Sequence, residues 1–420
     1  MKVTLINGSP EQGTFDAYLA QLVRKLTQAG HSVKQIDLRD VALRHCIGCF
    51  GCWVKTPGQC VVQDASIEID RAVITADFVL WAAPLKMGFP TALLKTAIDK
   101  HLPLIHPYME VAYGEAHHLR RYPASPRLGL LLEEEADTDA RDLQIVSDIF
   151  CRTAINYKSR LEFSLTTTTP VEELAQRITL RDPQPLPLPK RLPPTQGTRI
   201  APPSRLTVFN GSPRGRKGNT PLMLDQFMQG FGGPVEIYHL NRLKETERMV
   251  QAFGDAECIL FGFPLYTDAM PGMVKRFIEA LEPLAGRESN PPLGFLVQSG
   301  FPEGLHSRYV ERYLEKLAAR LRSPYLGTIV KGGGEGTRVM PPNMNQALFA
   351  NLQSLGARLA ASGRFDLAVL REIAKPEQYP WYMGPVFQVF LRLPIAHTYF
   401  DNMLEENGVF EQRFARPFAE

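Results

Sequence analysis

No sign of charge dominates this 420-residue chain: 47 Lys and Arg stand against 44 Asp and Glu, a formal charge of +3. So even a mixture excludes the strongly basic face of a nucleic-acid binder. Long hydrophobic runs are missing too. The N-terminus, MKVTLINGSP, meets Gly8 and Pro10 after a short apolar stretch, so it reads as a first strand and not as a secretory signal. Trp381 to Ile395 is apolar, but Pro385, Arg392 and Pro394 interrupt it and it is too short to span a bilayer. It reads as a helix docked on the body, with a peripheral membrane contact as the alternative. Cysteine is scarce, six residues in all, and not spread as in a disulfide framework. Cys46, Cys49, Cys52 and Cys60 fall within fifteen residues, while Cys151 and Cys258 stand alone. Such bunching points to metal or redox chemistry in a reducing compartment, so the cytoplasm is the expected location.

What is present is a repeat. VTLINGSP ends in Asn7-Gly8-Ser9-Pro10, and RLTVFNGSP ends in Asn210-Gly211-Ser212-Pro213. After each comes a helical stretch (Tyr18 to Ala29; Leu222 to Phe231), then a strand (SVKQIDL; VEIYHL). A further strand stops at a proline (DFVLWAAP at Pro84; ECILFGFP at Pro264), and another helix follows. RLGLLL and RLEFSL, then LGFLVQ and YLGTIV, bring each half to five strands. Strands alternating with helices imply parallel sheets, because a crossover helix is needed to return the chain to the same edge. The expected fold is therefore α/β, two flavodoxin-like doubly wound domains, each with a five-stranded parallel sheet of order 2-1-3-4-5. The expected boundaries are 1–180 for the first domain and 181–204 for a stiff Pro-rich linker. The second domain takes 205–365 and a C-terminal helical extension 366–420. Ligands are expected beside the carboxyl ends of strands 1 and 3, where the order reverses.

The two copies of the first loop differ in charge. Ser212-Pro213-Arg214-Gly215-Arg216-Lys217-Gly218-Asn219-Thr220 runs into a helix start with hydroxyls, glycines and three cations, a cradle suited to a phosphate dianion. Ser9-Pro10-Glu11-Gln12-Gly13-Thr14-Phe15-Asp16 carries no cation and two carboxylates, which disfavour a dianion although backbone amides still offer themselves. The phosphate site is thus expected on Ser212, Arg214, Lys217, Gly218, Asn219 and Thr220.

These residues resemble the NAD(P)H-dependent FMN reductase superfamily in tandem, and especially its iron–sulfur flavoproteins. The most specific pieces are SPRGRKGNT, FPLYTDAMPG and CIGCFGCW followed by Cys60. The resemblance implies an oxidoreductase in which FMN is reduced by NAD(P)H and passes electrons to an acceptor, with no acid–base residue required for the first step. It also implies that the flavin ring lies against Pro264, Leu265, Tyr266, Thr267, Asp268, Ala269 and Met270, with Ser299 and Gly300 as a further wall. The alternative for Tyr266 and Met270 is helix-start packing. Glu133, Glu134, His117 and His118 are expected to be ordinary solvated residues. Cys46, Cys49, Cys52 and Cys60 match the iron–sulfur flavoprotein spacing for a [4Fe–4S] cluster, with free thiols or zinc left open. The same resemblance implies an intramolecular pseudo-dimer whose first half brings its cysteine loop to the flavin of the second, possible as a monomer. The partners expected are a small-molecule or protein acceptor, and neither nucleic acid nor a membrane span. A flavodoxin-like electron carrier without nicotinamide turnover is the competing reading.

Overall fold

Strands of a doubly wound sheet are covered on both faces, and their sequences here are close to continuously apolar. The computed structural model describes residues 1–419, apart from the side chain of Pro342, and these form two units. One comprises residues 1–189 with 380–419, the other Lys190–Tyr379. In the first unit the order is β1 (Lys2–Asn7), α1 (Thr14–Gln28), β2 (Ser32–Asp37), α2 (Gly51–Val54), α3 (Ser66–Ile74), β3 (Phe78–Lys86), β4 (Phe89–Pro90), α4 (Ala92–Lys100), β5 (Ile105–Ala112), β6 (Glu115–Arg120), β7 (Arg127–Glu133), α5 (Ala140–Asn156), β8 (Leu161–Thr166) and α6 (Val171–Thr179). The parallel sheet runs β2-β1-β3-β7-β8, the order expected from the sequence. Helix α1 shows why it docks: Phe15, Leu19, Leu22 and Leu26 recur at helical spacing, and all four are buried against Val3, Leu5 and Leu80 of the sheet.

Two additions were not legible. Strand β4 turns back antiparallel on the end of β3, and β5 and β6 form a separate hairpin. Both depend on two-residue turns with both positions left-handed, Met87-Gly88 (φ 53° and 73°) and Tyr113-Gly114 (φ 56° and 77°). Only the glycine of each pair signals such a turn; Met and Tyr seldom adopt it. The hairpin also overturns one expectation, since His117 is fully buried there, bonded to Glu115 (2.9 Å) and Asn156 (2.9 Å).

The second unit contains β9 (Leu206–Asn210), α7 (Asn219–Phe231), β10 (Val235–His239), α8 (Thr246–Gly254), β11 (Ile259–Pro264), α9 (Gly272–Ala280), α10 (Glu282–Ala285), β12 (Leu293–Gln298), α11 (Arg308–Arg320), β13 (Tyr325–Lys331), α12 (Gln346–Ser362) and α13 (Leu367–Ile373). Its sheet runs β10-β9-β11-β12-β13, all parallel. Helix α12 lies close along α7 because glycines meet backbone there. A Cβ on Gly230 would fall 1.9 Å from the Gln353 carbonyl oxygen, and one on Gly356 would fall 2.1 Å from that of Phe227. Residues 181–204 form neither helix nor strand. From Lys190 onward they pack with the second unit: Thr195 donates to Glu311 (2.8 Å) and the Thr198 amide to the Tyr325 carbonyl (2.6 Å). The last two helices, α14 (Met383–Phe390) and α15 (Pro394–Glu406), belong to the first unit. Among the described residues no helix is long and apolar enough to cross a membrane.

Candidate functional site

Each sheet reverses its order between its first and third parallel strands, and there the two repeated loops of each half leave the sheet. In the first unit the leading loop is turned by its own side chains. Asn7 Oδ1 accepts from the Ser9 amide (2.9 Å), and its Nδ2 donates to Asp16 (2.9 Å) and Asp37 (2.6 Å). Asp16 also caps the start of α1 by accepting from the Gly13 amide (3.1 Å). Arg39, delivered from just past β2, lies 2.8 Å from Asp16 Oδ1, so the loop does have a cation beside it. Thr14 donates to Glu133 (3.1 Å). At the second loop, the amides of Met87 and Gly88 point together into a small nest, and both donate to the Glu135 carboxylate at 2.7 Å. An internal carboxylate thus occupies both donors of the nest.

The second unit repeats the devices with different partners. Asn210 Oδ1 accepts from the Ser212 amide (3.0 Å), as Asn7 does for Ser9. Ser212, Asn219 and Thr220 are buried, Lys217 is exposed, and Arg214 is half-buried. Arg214 donates to Glu335 (2.9 Å), and Asn219 Nδ2 donates to the same carboxylate (3.2 Å). Arg338 donates to the Gly218 carbonyl (2.8 Å). Asn219 Oδ1 is buried with no partner, as is Gln298 Oε1, whose Nε2 lies 3.4 Å from the Thr220 hydroxyl. After β11, Tyr266 and Ala269 bridge to each other across Thr267 (φ 41°) and Asp268 (φ 62°), the counterpart of the Met87-Gly88 turn. A β-branched residue held left-handed is strained, and such strain gathers at ligand-binding turns. Pro264, Ala269 and Met270 are buried, so Met270 packs as a helix-start residue, while Leu265, Tyr266 and Thr267 are partly open. The Ser299 amide donates to the carbonyl of Lys331 at the end of β13, the Gly334 amide just past that strand donates to the Ser299 carbonyl, and Gly300 is exposed.

The cysteine loop fills residues 46–60 of the first unit. Cys52 is buried, Cys46 and Cys60 are half-buried, and Cys49 is exposed; none is in a disulfide. Burial first, and then the neighbouring Cys46, Cys60 and Cys49, push the Cys52 thiol well above its ordinary range. Burial raises Cys46 to about 12. Donors converge on the same sulfurs. The Gly51 amide points at Cys49 Sγ (3.4 Å), the Gly48 amide bonds Cys46, and the Lys100 ammonium reaches both Cys60 and Asp64 (3.0 Å). Left-handed Gly48 (φ 66°) and Phe50 (φ 56°) reverse the chain between the thiols. Among the described residues, no three His, Cys, Asp or Glu side chains stand in the geometry of a single bound metal ion. The donor set, four thiols with N–H and ammonium groups aimed at sulfur, fits a cluster held by thiolates.

The C-terminal part of the first unit covers this loop. Trp53 donates to the carbonyls of Leu102 (3.1 Å) and Ile105 (3.0 Å), stacks on Phe50 and meets Phe400 edge-on. Phe400, Met403 and Leu404 of α15 pack on Cys52 and Trp53. Pro417 lies against Gly58, where a Cβ would come within 2.6 Å of its ring. Arg121 holds the tail down through the carbonyls of Arg413 (3.1 Å) and Ala415 (3.0 Å). Sequence reasoning missed Arg39, Lys100, Glu335 and Arg338, all brought to the loops from other elements. No local pattern marks them.

Residues 1–115 match the NADPH-dependent FMN reductase family. An iron–sulfur flavoprotein from Archaeoglobus fulgidus is 34% identical over 116 residues, 27% of this chain and 52% of that protein. The iron–sulfur flavoprotein MJ1083 of Methanocaldococcus jannaschii is 32% identical over 105 residues, 25% of this chain and 53% of that one. The chain thus spans about half the length of the curated relatives it matches. Among solved structures, the Trp repressor binding protein from Bacillus subtilis overlaps 37% of this chain and 96% of its own, at 17% identity and a TM-score of 0.29.

Proposed function

We propose, from the match of residues 1–115 to the NADPH-dependent FMN reductase family, that the chain is a flavin-dependent oxidoreductase. It takes electrons from NAD(P)H by way of FMN and delivers them to an acceptor. The observation that carries this reading is that the matched segment contains both switch-point loops and the whole cysteine loop of the first unit. When bound, FMN supplies two-electron chemistry with a nicotinamide, and a [4Fe–4S] cluster supplies single-electron relay.

For the flavin phosphate we favour the second unit. Arg214, the hydroxyls of Ser212 and Thr220, and the backbone at Gly218 and Asn219 at the start of α7 would hold it. Lys217 would add charge from solvent, and Leu265, Tyr266 and Thr267 would flank the ring, backed by buried Pro264, Asp268, Ala269 and Met270. Ser299 and Gly300 would close the far side. Support comes from the strained Thr267-Asp268 turn and the unpartnered Asn219 Oδ1. In the first unit, by contrast, Glu135 already holds the Met87 and Gly88 amides. For Arg214 to meet a phosphate, Glu335 must let go of it. A second reading, FMN in the first unit, is favoured by the place of the family match. Cys46, Cys49, Cys52 and Cys60 would hold the cluster, with Lys100 steadying the Cys60 sulfur.

The experiment is analysis of anaerobically purified protein for flavin, iron and sulfide, with NAD(P)H oxidation by the loaded chain. FMN together with rapid nicotinamide oxidation is the expected result. Flavin without nicotinamide oxidation would leave an electron carrier, and a chain that cannot be loaded with FMN would overturn the reading. Cys52→Ser should remove iron and leave flavin in place.

A further inference from the structure

The segment from Gln378 to Phe400 has one formally charged side chain, Arg392, in 23 residues. A stretch of this composition ordinarily lies in a core, yet α14 has no buried residue at all. Trp381 is 88% exposed, Ile395 70% and Val386 64%, and Tyr382, Val389 and Phe390 are exposed as well. Helix α14 itself is held where Gln388 accepts from the Val111 amide (2.6 Å) and by buried Leu391 beyond it; further on, His397 packs on Tyr108 and Phe400 on Trp53. Beside it, the β5–β6 turn adds exposed Tyr113. Trp381, Tyr382, Val386, Val389, Phe390 and Ile395 thus leave uncovered a run of large apolar side chains that a soluble monomer ordinarily buries.

We propose that this segment docks on an anionic lipid surface, lying in the interface without crossing it. Charge chooses that occupant over a second copy of the chain. Helix α14 turns one face outward, with Met383, Pro385, Val386, Val389 and Phe390 exposed, while Gln388 on the other side is bonded to β5. No carboxylate occurs between Glu377 and Asp401, so a second copy of this segment would offer Arg392 no acid as a partner. A headgroup phosphate supplies the missing partner, and Trp381 and Tyr382 are the residue types that settle at headgroup depth. The proposal is independent of the flavin reading. Its consequence for that reading is positional: the opposite side of α15 carries Phe400, Met403 and Leu404 onto the cysteine loop.

The test is flotation of the full-length protein with vesicles of phosphatidylcholine alone and of phosphatidylcholine with an equal part of phosphatidylglycerol. Alongside it, light scattering of the protein without lipid gives the oligomeric state. The wild type is expected to float with the anionic vesicles, and a Trp381→Glu, Val386→Glu, Ile395→Glu triple variant to lose flotation at least tenfold with unchanged circular dichroism and melting. Arg392→Gln should weaken binding to anionic vesicles about fivefold and leave binding to neutral ones unaffected. Failure of the folded wild type to float with either vesicle overturns the proposal. So does a wild-type dimer that the triple variant converts to monomer, since a second copy would then cover the patch.

Discussion

The two halves share one fold and one placement of loops, and their charges are compensated in opposite directions by residues far away in sequence. The acidic loop at Asp16 receives Arg39, and the cationic loop at Arg214 receives Glu335. A contrast that looks decisive in two short loop sequences is therefore softened in three dimensions. What differs more is each half's second loop and its surroundings. In the first unit a carboxylate occupies the turn amides and a cysteine loop is buried under α15. In the second, the path from β10 to α8 is short and bears no cysteine. Loop chemistry sets what a site can bind, and the elements around it set what it binds now.

The sharpest difference is the cysteine loop with its cover, and Trp53 is its keystone. It is almost completely buried, bonded to two carbonyls and ringed by Phe50, His118 and Phe400. Trp53→Ala should cost the first unit ~3–5 kcal/mol, as large-to-small changes of aromatic core residues do. The second unit, which has no such loop, should unfold as before. Urea titration separates the two, because Trp53, Trp81 and Trp381 are the chain's three tryptophans and all lie in the first unit. Fluorescence of the remaining tryptophans then follows the first unit, and circular dichroism follows both. Equal loss in both transitions would remove the distinction between the halves.

Acid should separate them next. His106 is held down to about 3 by burial and by Arg121 and Arg416, and His118 to about 4 by burial and by Lys158 and His117. Both stay neutral in the folded unit, while the unfolded chain protonates them below about pH 6.5. The unfolded state then binds more protons, so stability falls as pH drops from about 6.5 toward 4, by up to ~1.4 kcal/mol per pH unit for each histidine. In the second unit His239 is lowered in the same direction, by burial and then Arg216, but it is half-buried. The tryptophan-detected midpoint should therefore move to lower urea between pH 7 and pH 5.5 more than the dichroism-detected transition of the second unit.

Much of the architecture was legible because it is carried by period and punctuation. Apolar strands, amphipathic helices such as α1 and the twice-repeated Asn-Gly-Ser-Pro turn sufficed for both sheets and their order. The β5–β6 hairpin was not legible, since Tyr113 gives no local sign of a left-handed turn. Of the candidate site, only the local part could be read from the sequence. Ser212, Thr220 and the four cysteines were nominated by their chemistry and spacing. Arg39, Glu335 and Lys100 could not be, because a solvated charge and one beside a loop look alike until the topology brings them somewhere. The same holds for Trp381 to Ile395, whose apolar composition suggested docking on the body and whose side chains point outward instead.

The glycines before α1 and α7 set the two Asn-Gly-Ser-Pro loops side by side. Gly13 and Gly218 both stand at the start of the helix after the loop, in extended conformations that any residue adopts. A Cβ on Gly13 would meet nothing within 4 Å, whereas one on Gly218 would fall 2.1 Å from Ser212 Oγ and 3.1 Å from its Cβ. With FMN in the second unit, Gly218→Ala should displace the Ser212 hydroxyl and weaken flavin binding tenfold or more, and Gly13→Ala should leave it unchanged. Flavin fluorescence titration reads both. Unchanged binding in Gly218→Ala would move the flavin to the first half.

The smallest effect probes the internal carboxylates. Glu335→Gln keeps the shape that meets Arg214 and Asn219 but removes the charge that competes with a phosphate. The Arg214–Glu335 pair is about a quarter exposed on each side, so its release is worth only ~0.5–1 kcal/mol. FMN should therefore bind about two- to fivefold tighter. Glu135→Gln serves as the mirror experiment, because it weakens the acceptor of the Met87 and Gly88 amides in the other half. If the second unit holds the flavin, that variant changes its affinity little. A gain in Glu135→Gln with none in Glu335→Gln would mean that the ligand enters through the first unit, by displacing a carboxylate from the turn and not from a guanidinium.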